Sequence, residues 1–182
     1  MRWNLHGVET RFKSYPFNVE GVELSNKDKD DHRFTYYRLQ CPDWLNVLPI
    51  TSNNQAILIR QPRAGTLTEI LETPGGVVEP NERDTAMAAL RELEEETGFT
   101  SQRILPLLAV NPNPALMTNR VHMFLALNCH IPDERKHFPD TEERITTELV
   151  PVEELEDLVR CGKINHSLSA LCIMLALKYL KK

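Results

Sequence analysis

The early part of this chain alternates apolar and polar positions at period two, the mark of half-buried strands. Residues 8–12 and 17–24 alternate weakly, and residues 32–39 do so more regularly after the charged turn at 27–31. Residues 44–50 and 56–60 read as two further strands, joined as a hairpin by the polar link 51–55. Short strands are predicted at 68–72, 104–110, 121–127 and 145–150. Helical spacing appears after the glycine pair Gly75–Gly76. There Ala86, Ala89, Leu90 and Leu93 fall on one arc, and Glu92, Glu95 and Glu96 on the other. That helix starts near Asp84 or Thr85, either of which can cap it, and stops at Gly98. A second helix is predicted at 152–159. A third, at 164–180, carries Ile164, Leu168, Leu171, Cys172, Leu175 and Tyr179 at helical spacing. Strands on either side of one acidic helix, with a long closing helix, predict an α/β fold whose mixed sheet is covered on both faces. Residues 1–40 form an N-terminal β segment too small to build its own core, and residues 41–182 the main domain. The segment is expected to pack on that domain or on a second subunit.

Composition narrows the class. A chain of 182 residues with 41% hydrophobic and 26% charged content is that of a soluble globular protein. Its net charge of −5 argues against a general nucleic-acid binder or an anionic-membrane binder, since both need a basic surface. It leaves room for a nucleotide substrate, because a bound metal inverts the local field. Cys41, Cys129, Cys161 and Cys172 show no Cys-x-x-Cys or zinc spacing and read as reduced thiols. The longest apolar run, 170–177, is far short of a spanning helix, and the first residues hold no apolar stretch of signal-peptide length. The expected location is cytoplasmic, with no membrane partner.

The acidic helix face calls for an explanation. Like charges at these spacings cost an isolated helix about a few tenths of a kcal/mol per pair. A run of glutamates alone reads as a solvated face, but a hard divalent cation with oxygen ligands would also offset the repulsion. The flanking residues favour the cation. Residues 75–99 resemble the signature box of the Nudix hydrolases: a glycine, five residues, Glu, seven residues, then Arg-Glu-aliphatic-x-Glu-Glu-x-Gly and an aliphatic or aromatic residue. Five residues separate Gly76 from Glu82, and Arg91 to Phe99 match the second half throughout. Eight residues rather than seven lie between Glu82 and Arg91, which leaves the role of Glu82 open.

The resemblance implies an α-β-α sandwich and Mg²⁺-dependent hydrolysis of a phosphoanhydride, with Mn²⁺ as the alternative ion. It implies Glu92, Glu95, Glu96 and the Gly75 carbonyl as metal ligands, with Arg91 orienting Glu95. A base is expected from the loop holding Asp140, Glu142 and Glu143. Glu143-Arg144-Ile145 is similar to the family's Glu-x-Ile, so Glu143 is the first candidate and Glu142 the second. Arg60-Gln61-Pro62-Arg63 resembles the Gln-x-Arg of ADP-ribose pyrophosphatases, and Glu72-Thr73-Pro74-Gly75-Gly76 their entry to the box. Arg63, Arg60, Glu72 and Pro114 are therefore the expected substrate-binding residues. Members that hydrolyse other nucleoside diphosphate sugars carry Asp-x-Lys in the closing helix; here His166 and Leu168 stand in those places. His166, at a helix start, reads as structural rather than substrate-facing. Phe34, Tyr36, Tyr37 and Trp44 read mainly as packing residues. The expected substrate is ADP-ribose or a related nucleoside diphosphate derivative, and the resemblance implies a homodimer built through residues 1–40. The competing readings are a nucleoside diphosphate sugar hydrolase of other specificity, a non-catalytic ligand sensor of the same fold, and a sanitising enzyme for damaged nucleoside triphosphates.

Overall fold

The computed structural model describes residues 3–28, 32–138 and 144–181. These divide into two compact units, Met1–Asp43 with Val110–Arg120, and Trp44–Ala109 with Val121–Lys182. The first unit is a three-stranded antiparallel sheet of β1 (Trp3–Lys13), β2 (Asn18–Asn26) and β3 (Arg33–Gln40), with β2 in the middle. Register matches Val8 with Val22 and Val22 with Tyr36, and Leu5 with Leu24 and Leu24 with Phe34. Cross-strand partners share a face, so Trp3, Leu5, Val8, Phe34 and Tyr36 lie on one side. Trp3 meets Phe34 edge-on, and Phe34 meets Tyr36 in the same way. The 110–120 segment belongs to this unit: Leu39 donates to the Leu116 carbonyl at 2.7 Å, and Thr118 donates to the Leu39 carbonyl at 3.1 Å.

The second unit is built on a seven-stranded sheet. Its strands are β4 (Trp44–Thr51), β5 (Gln55–Arg63), β6 (Thr68–Glu72), β7 (Gly75–Val77), β8 (Arg103–Val110), β9 (Val121–Cys129) and β10 (Thr146–Pro151). The main order is β10-β5-β4-β9-β8, with β6 paired to β5 and β7 paired to β4. β4 runs parallel to β9 and antiparallel to β5 and β7, so the sheet is mixed. Pro49 lies within β4 without loss. The Val47 amide points to the β7 side, where it donates to the Pro74 carbonyl at 2.9 Å. The Pro49 nitrogen faces the same way by parity. There the neighbour changes from β7, paired at Trp44 to Asn46, to β5, paired at Ile50, so the donor that proline lacks has no ladder to serve.

Three helices complete the unit: α1 (Thr85–Thr97), α2 (Leu155–Arg160) and α3 (Ser167–Leu180). Leu45 and Val47 of β4, Ile57 of β5 and Phe124 of β9 pack with Ala88, Ala89 and Leu93 of α1 in one buried cluster. The alternate residue Asn46 points to the other face. There the Cys172 thiol of α3 lies against the Asn46 and Phe124 carbonyls. The mixed α/β class and the helical cover of both faces follow the sequence pattern.

Several element boundaries differ from expectation: β1 already begins at Trp3 rather than at residue 8, and β5 runs on to Arg63 rather than ending at 60. The glycine pair opens a short strand, β7, that was not predicted. The stretch predicted as one helix at 152–159 begins as a 3₁₀ turn over Val152–Glu154 before α2. α3 starts at Ser167 and not at 164. Ile164 is fully buried and so matches an apolar helical stripe, but its amide donates to the Leu158 carbonyl at 3.0 Å, which holds it in the turn after α2.

Candidate active site

α1 is fixed at both ends by the residues the chain places there. Asp84 is the N-cap, and its carboxylate accepts from the Ala86 amide at 2.9 Å. Gly98 closes the helix with φ 76° and donates to the Glu94 carbonyl at 2.9 Å. Arg135 adds a second lock, since its Nη2 donates to the Glu94 and Glu95 carbonyls at 2.9 and 2.8 Å, satisfying last-turn acceptors that a helix leaves open.

Arg91 is the hub of the acidic face. Its Nε donates to Glu82 Oε1 at 2.8 Å and its Nη2 to Glu82 Oε2 at 3.2 Å. Nη2 also reaches Glu92 Oε1 at 2.9 Å, and Nη1 reaches Glu95 Oε2 at 2.5 Å. One guanidinium thus serves three carboxylates, using the planar fork of donors that lysine lacks. Its pKa is held above the ordinary value, first by the hydrogen bond to Glu82 and then by the fields of Glu92, Glu95 and Glu82, which outweigh desolvation.

Glu82 is therefore part of the site. The additional residue before Arg91 does not displace it, because the loop closes on itself. The Glu82 amide donates to the Glu79 carbonyl at 2.9 Å, and the Glu79 amide donates back to Glu82 Oε2 at 2.9 Å. Spacing alone carried no sign of this closure.

The other two glutamates of the run are buried and take backbone donors. Glu96 Oε2 accepts from the Gly75 amide at 2.9 Å. Glu94 Oε1 accepts from the Lys136 amide at 2.5 Å and the His137 amide at 3.4 Å, tying the 135–137 stretch to the helix. A buried carboxylate is tolerable on such terms. Sequence reasoning did not single out Glu94; its one sign was a helical position between two core-facing turns.

The glycines are required by close approach. A Cβ on Gly75 would sit 2.3 Å from the Leu45 carbonyl oxygen, and one on Gly76 would sit 2.3 Å from Glu92 Oε1. β7 can therefore lie against β4, and Glu92 against β7, only without side chains there. This brings Gly75, Glu92, Glu95 and Glu96 together on one side of α1, with Arg91 among them.

A second polar group lies on the β5–β6 pair. Glu72 is 1% exposed, and its Oε1 accepts from Arg63 Nε at 2.7 Å. Its Oε2 lies 2.7 Å from His166 Nδ1. Burial pushes the Glu72 carboxyl up, but the hydrogen bonds from His166 and Arg63, with their fields, outweigh it and hold the group below its ordinary range. Sequence reasoning took His166 for a structural residue and missed this contact. Since the Glu72 side chain is covered, any part it takes in substrate binding runs through Arg63.

The remaining expected residues are placed as follows. Arg60 is three positions from Arg63 on β5, so it points to the opposite face, where its Nε meets Glu148 Oε2 at 2.7 Å. The two arginines are not brought together. Pro114 lies in the 110–120 segment of the first unit. Asp140, Glu142 and Glu143 lie outside the described residues.

The donors near Gly75 are carboxylate and carbonyl oxygens, the chemistry of a hard divalent cation. Among the described residues no three His, Cys, Asp or Glu side chains are already gathered closely enough to hold a metal. Glu92 and Glu95 are turned onto Arg91, and Glu96 onto the Gly75 amide, so side chains would have to swing toward an ion. The donor set fits, and Arg91 supplies the cationic partner in this arrangement.

Comparison with known proteins agrees with this geometry. A family model described as "NUDIX domain" matches residues 45–167. The chain is 30% identical over 155 residues to the ADP-ribose pyrophosphatase of Bacillus subtilis (strain 168), covering 85% of this chain and 80% of that protein. It is 25% identical over 174 residues to the ADP compounds hydrolase NudE of Escherichia coli (strain K12), covering 96% and 91%. A crystal structure of an ADP compounds hydrolase superposes with a TM-score of 0.86 at 25% identity, covering 100% of this chain and 95% of that one.

The Arg91–Glu82 pair carries a pH dependence. The hydrogen bond from Arg91 lowers the Glu82 carboxyl below its ordinary 4.5 against the opposing effect of burial, with help from the Glu79 amide and the fields of Arg91 and His137. Its stabilisation is therefore complete above the unfolded value and is lost as pH falls through the lowered folded one. Glu82→Gln is expected to reduce the urea midpoint at about pH 6 and to lose less on acidification to about pH 3, so the two curves converge. A constant gap across that range would contradict the pairing.

Proposed function

The chain belongs to the Nudix family and is a hydrolase acting on pyrophosphate bonds, and we propose that its substrate is ADP-ribose or a closely related ADP compound, cleaved with Mg²⁺ into a nucleoside monophosphate and a phosphorylated remainder. The observation that carries the pyrophosphate chemistry is the set of box carboxylates gathered around Arg91 against Gly75 and Gly76. The ADP end rests on the names of the relatives, an ADP-ribose pyrophosphatase and an ADP compounds hydrolase.

In this reading the Gly75 carbonyl, Glu92, Glu95 and Glu96 hold the cation, with Mn²⁺ as the alternative ion. When bound, the cation neutralises the diphosphate and lowers the pKa of an attacking water. Arg91 holds Glu92 and Glu95 together on one face. Arg63, 42% exposed at its side chain, offers a planar cation to a phosphate. Glu143, with Glu142 second, is the proposed base that takes the proton of the attacking water.

One panel tests the reading. Purified protein is incubated with Mg²⁺ and, in turn, ADP-ribose, several nucleoside diphosphate sugars, a dinucleoside polyphosphate and nucleoside triphosphates, and products are resolved by chromatography. AMP and ribose phosphate from ADP-ribose, at the highest kcat/KM of the set, are expected. Glu96→Gln should keep its fold and lose at least about a hundredfold of that rate, as expected of a lost metal ligand. Faster turnover of another sugar nucleotide moves the substrate assignment, and tight binding without turnover supports a ligand sensor instead.

The reading includes a homodimer formed through the β1–β3 sheet. Leu5, Val8 and Tyr36 lie on one side of that sheet, 63%, 45% and 56% exposed, an apolar face that favours a partner. Light scattering should give twice the 20.9 kDa chain mass, and Leu5→Glu with Tyr36→Glu should halve it. A monomeric wild-type protein at micromolar concentration would contradict the assembly.

A further inference from the structure

Arg63 is held in place by a buried polar chain that phosphate binding does not itself require. Its Nε is committed to Glu72 at 2.7 Å, and among the described residues its two terminal nitrogens donate to nothing. A guanidinium anchored by Nε leaves the edge between Nη1 and Nη2 open, the edge that matches two phosphate oxygens. Whether that edge faces outward depends on Glu72.

Glu72 depends in turn on His166. Of its two buried oxygens, Oε1 has Arg63, and Oε2 has His166 Nδ1 at 2.7 Å and no other partner among the described residues. A carboxylate only accepts, so a proton on Nδ1 makes this 2.7 Å approach favourable, although the approach is not an aligned hydrogen bond and Oε2 has none among the described residues. Without the imidazole that buried oxygen would lose its one close polar neighbour among the described residues, and the side chain would have to take up a proton or turn toward water. Either outcome frees Arg63.

His166 is set by the start of α3. It occupies the N-cap position but makes no side-chain capping bond, so its imidazole is not used where Ser, Thr, Asp or Asn normally act. Its Nδ1 lies 3.1 Å from the Ser169 hydroxyl. Ser169, fully buried, accepts from the Thr73 amide and the Thr73 hydroxyl, each at 3.1 Å. The Thr73 hydroxyl accepts from Asn46 Nδ2 at 3.1 Å.

We propose that His166, backed by Ser169, is a positioning residue for substrate recognition: through Glu72 it fixes Arg63 by its Nε edge and presents the opposite edge to a substrate phosphate. The proposal rests on the reading above that Arg63 meets the substrate. It assigns to the closing helix a part in binding that its sequence, lacking Asp-x-Lys, did not suggest.

Two amide variants separate donor position from packing. Asparagine places its amide nitrogen where Nδ1 stood, and glutamine places it where Nε2 stood. His166→Gln is expected to raise KM for ADP-ribose about tenfold with kcat changed less than about threefold, the loss of one charge-assisted hydrogen bond in the binding term. His166→Asn should stay within about threefold of wild type in KM. Adding Arg63→Ala to His166→Gln should cost little beyond Arg63→Ala alone, because both act through one contact. Equal KM in the two amide variants, or full additivity, would overturn the proposal.

If the wild-type protein turns over nothing in the panel, the functional reading has failed, and a spectroscopic readout still decides this one. The Arg63 Nε–H proton should be a slowly exchanging ¹⁵N-correlated NMR signal in wild type and His166→Asn, and should be lost in His166→Gln. Its survival in His166→Gln would overturn the proposal. Ser169→Ala, expected to speed exchange of the same proton, covers the case in which a His166 variant does not fold; unaltered exchange there would count against the chain of contacts.

Discussion

The acidic side of the second unit depends on one guanidinium. α1 brings Glu92, Glu94, Glu95 and Glu96 within a single turn and a half, where mutual repulsion works against the helix. The structure resolves this by dividing the charges. Glu94 and Glu96 are turned onto backbone amides, of Lys136 with His137 and of Gly75. Glu92 and Glu95 are gathered with Glu82 around Arg91. Arg91 therefore links the loop before α1 to the helix face and holds the carboxylates close together. The cost of assembling like charges is thus met within the fold, and in the function proposed above a divalent ion would be the second cation these acids take.

The Thr73-Pro74-Gly75 segment connects this group to the one around Arg63. On one side Thr73 is tied to Asn46 and Ser169, and through Ser169 to His166 and Glu72. On the other, the Gly75 amide is tied to Glu96, and a side chain at Gly75 would strike the Leu45 carbonyl. A few residues of chain thus take their position from α1, α3 and β4 together. Buried polar networks of this kind are costly when partly satisfied and specific when complete. This one fixes the distance between the carboxylates and the exposed arginine, the two features a diphosphate would have to meet together.

Most of the fold was legible because its elements follow simple periods. The strand at Thr68–Glu72, the hairpin around residues 51–55 and the caps Asp84 and Gly98 each carry a local signal that tertiary structure leaves intact. The opposite faces of Arg60 and Arg63 were not legible, because the strand predicted at 56–60 stopped short of Arg63. What else was not legible is long-range. β7 is a strand because two glycines allow a close approach to β4, and a glycine pair reads locally as a turn. The start of α3 is set by the turn that buries Ile164. Glu82 keeps its place because the loop folds back through Glu79, which absorbs a residue that spacing counts as a fault. His166 finds Glu72 almost a hundred residues away, and no pattern near position 166 could announce it.

The central claim is that the carboxylates around Arg91 form a divalent-cation platform, and the most direct test is ion binding itself. Mn²⁺ titrated into the protein and followed by the loss of its free-ion electron paramagnetic resonance signal should show saturable binding. That binding should be competed by Mg²⁺ and weakened at least about tenfold in Glu92→Gln, a change of about 1.4 kcal/mol or more. Wild-type affinity in a folded Glu92→Gln, or no saturable binding in the wild-type protein, would contradict the account.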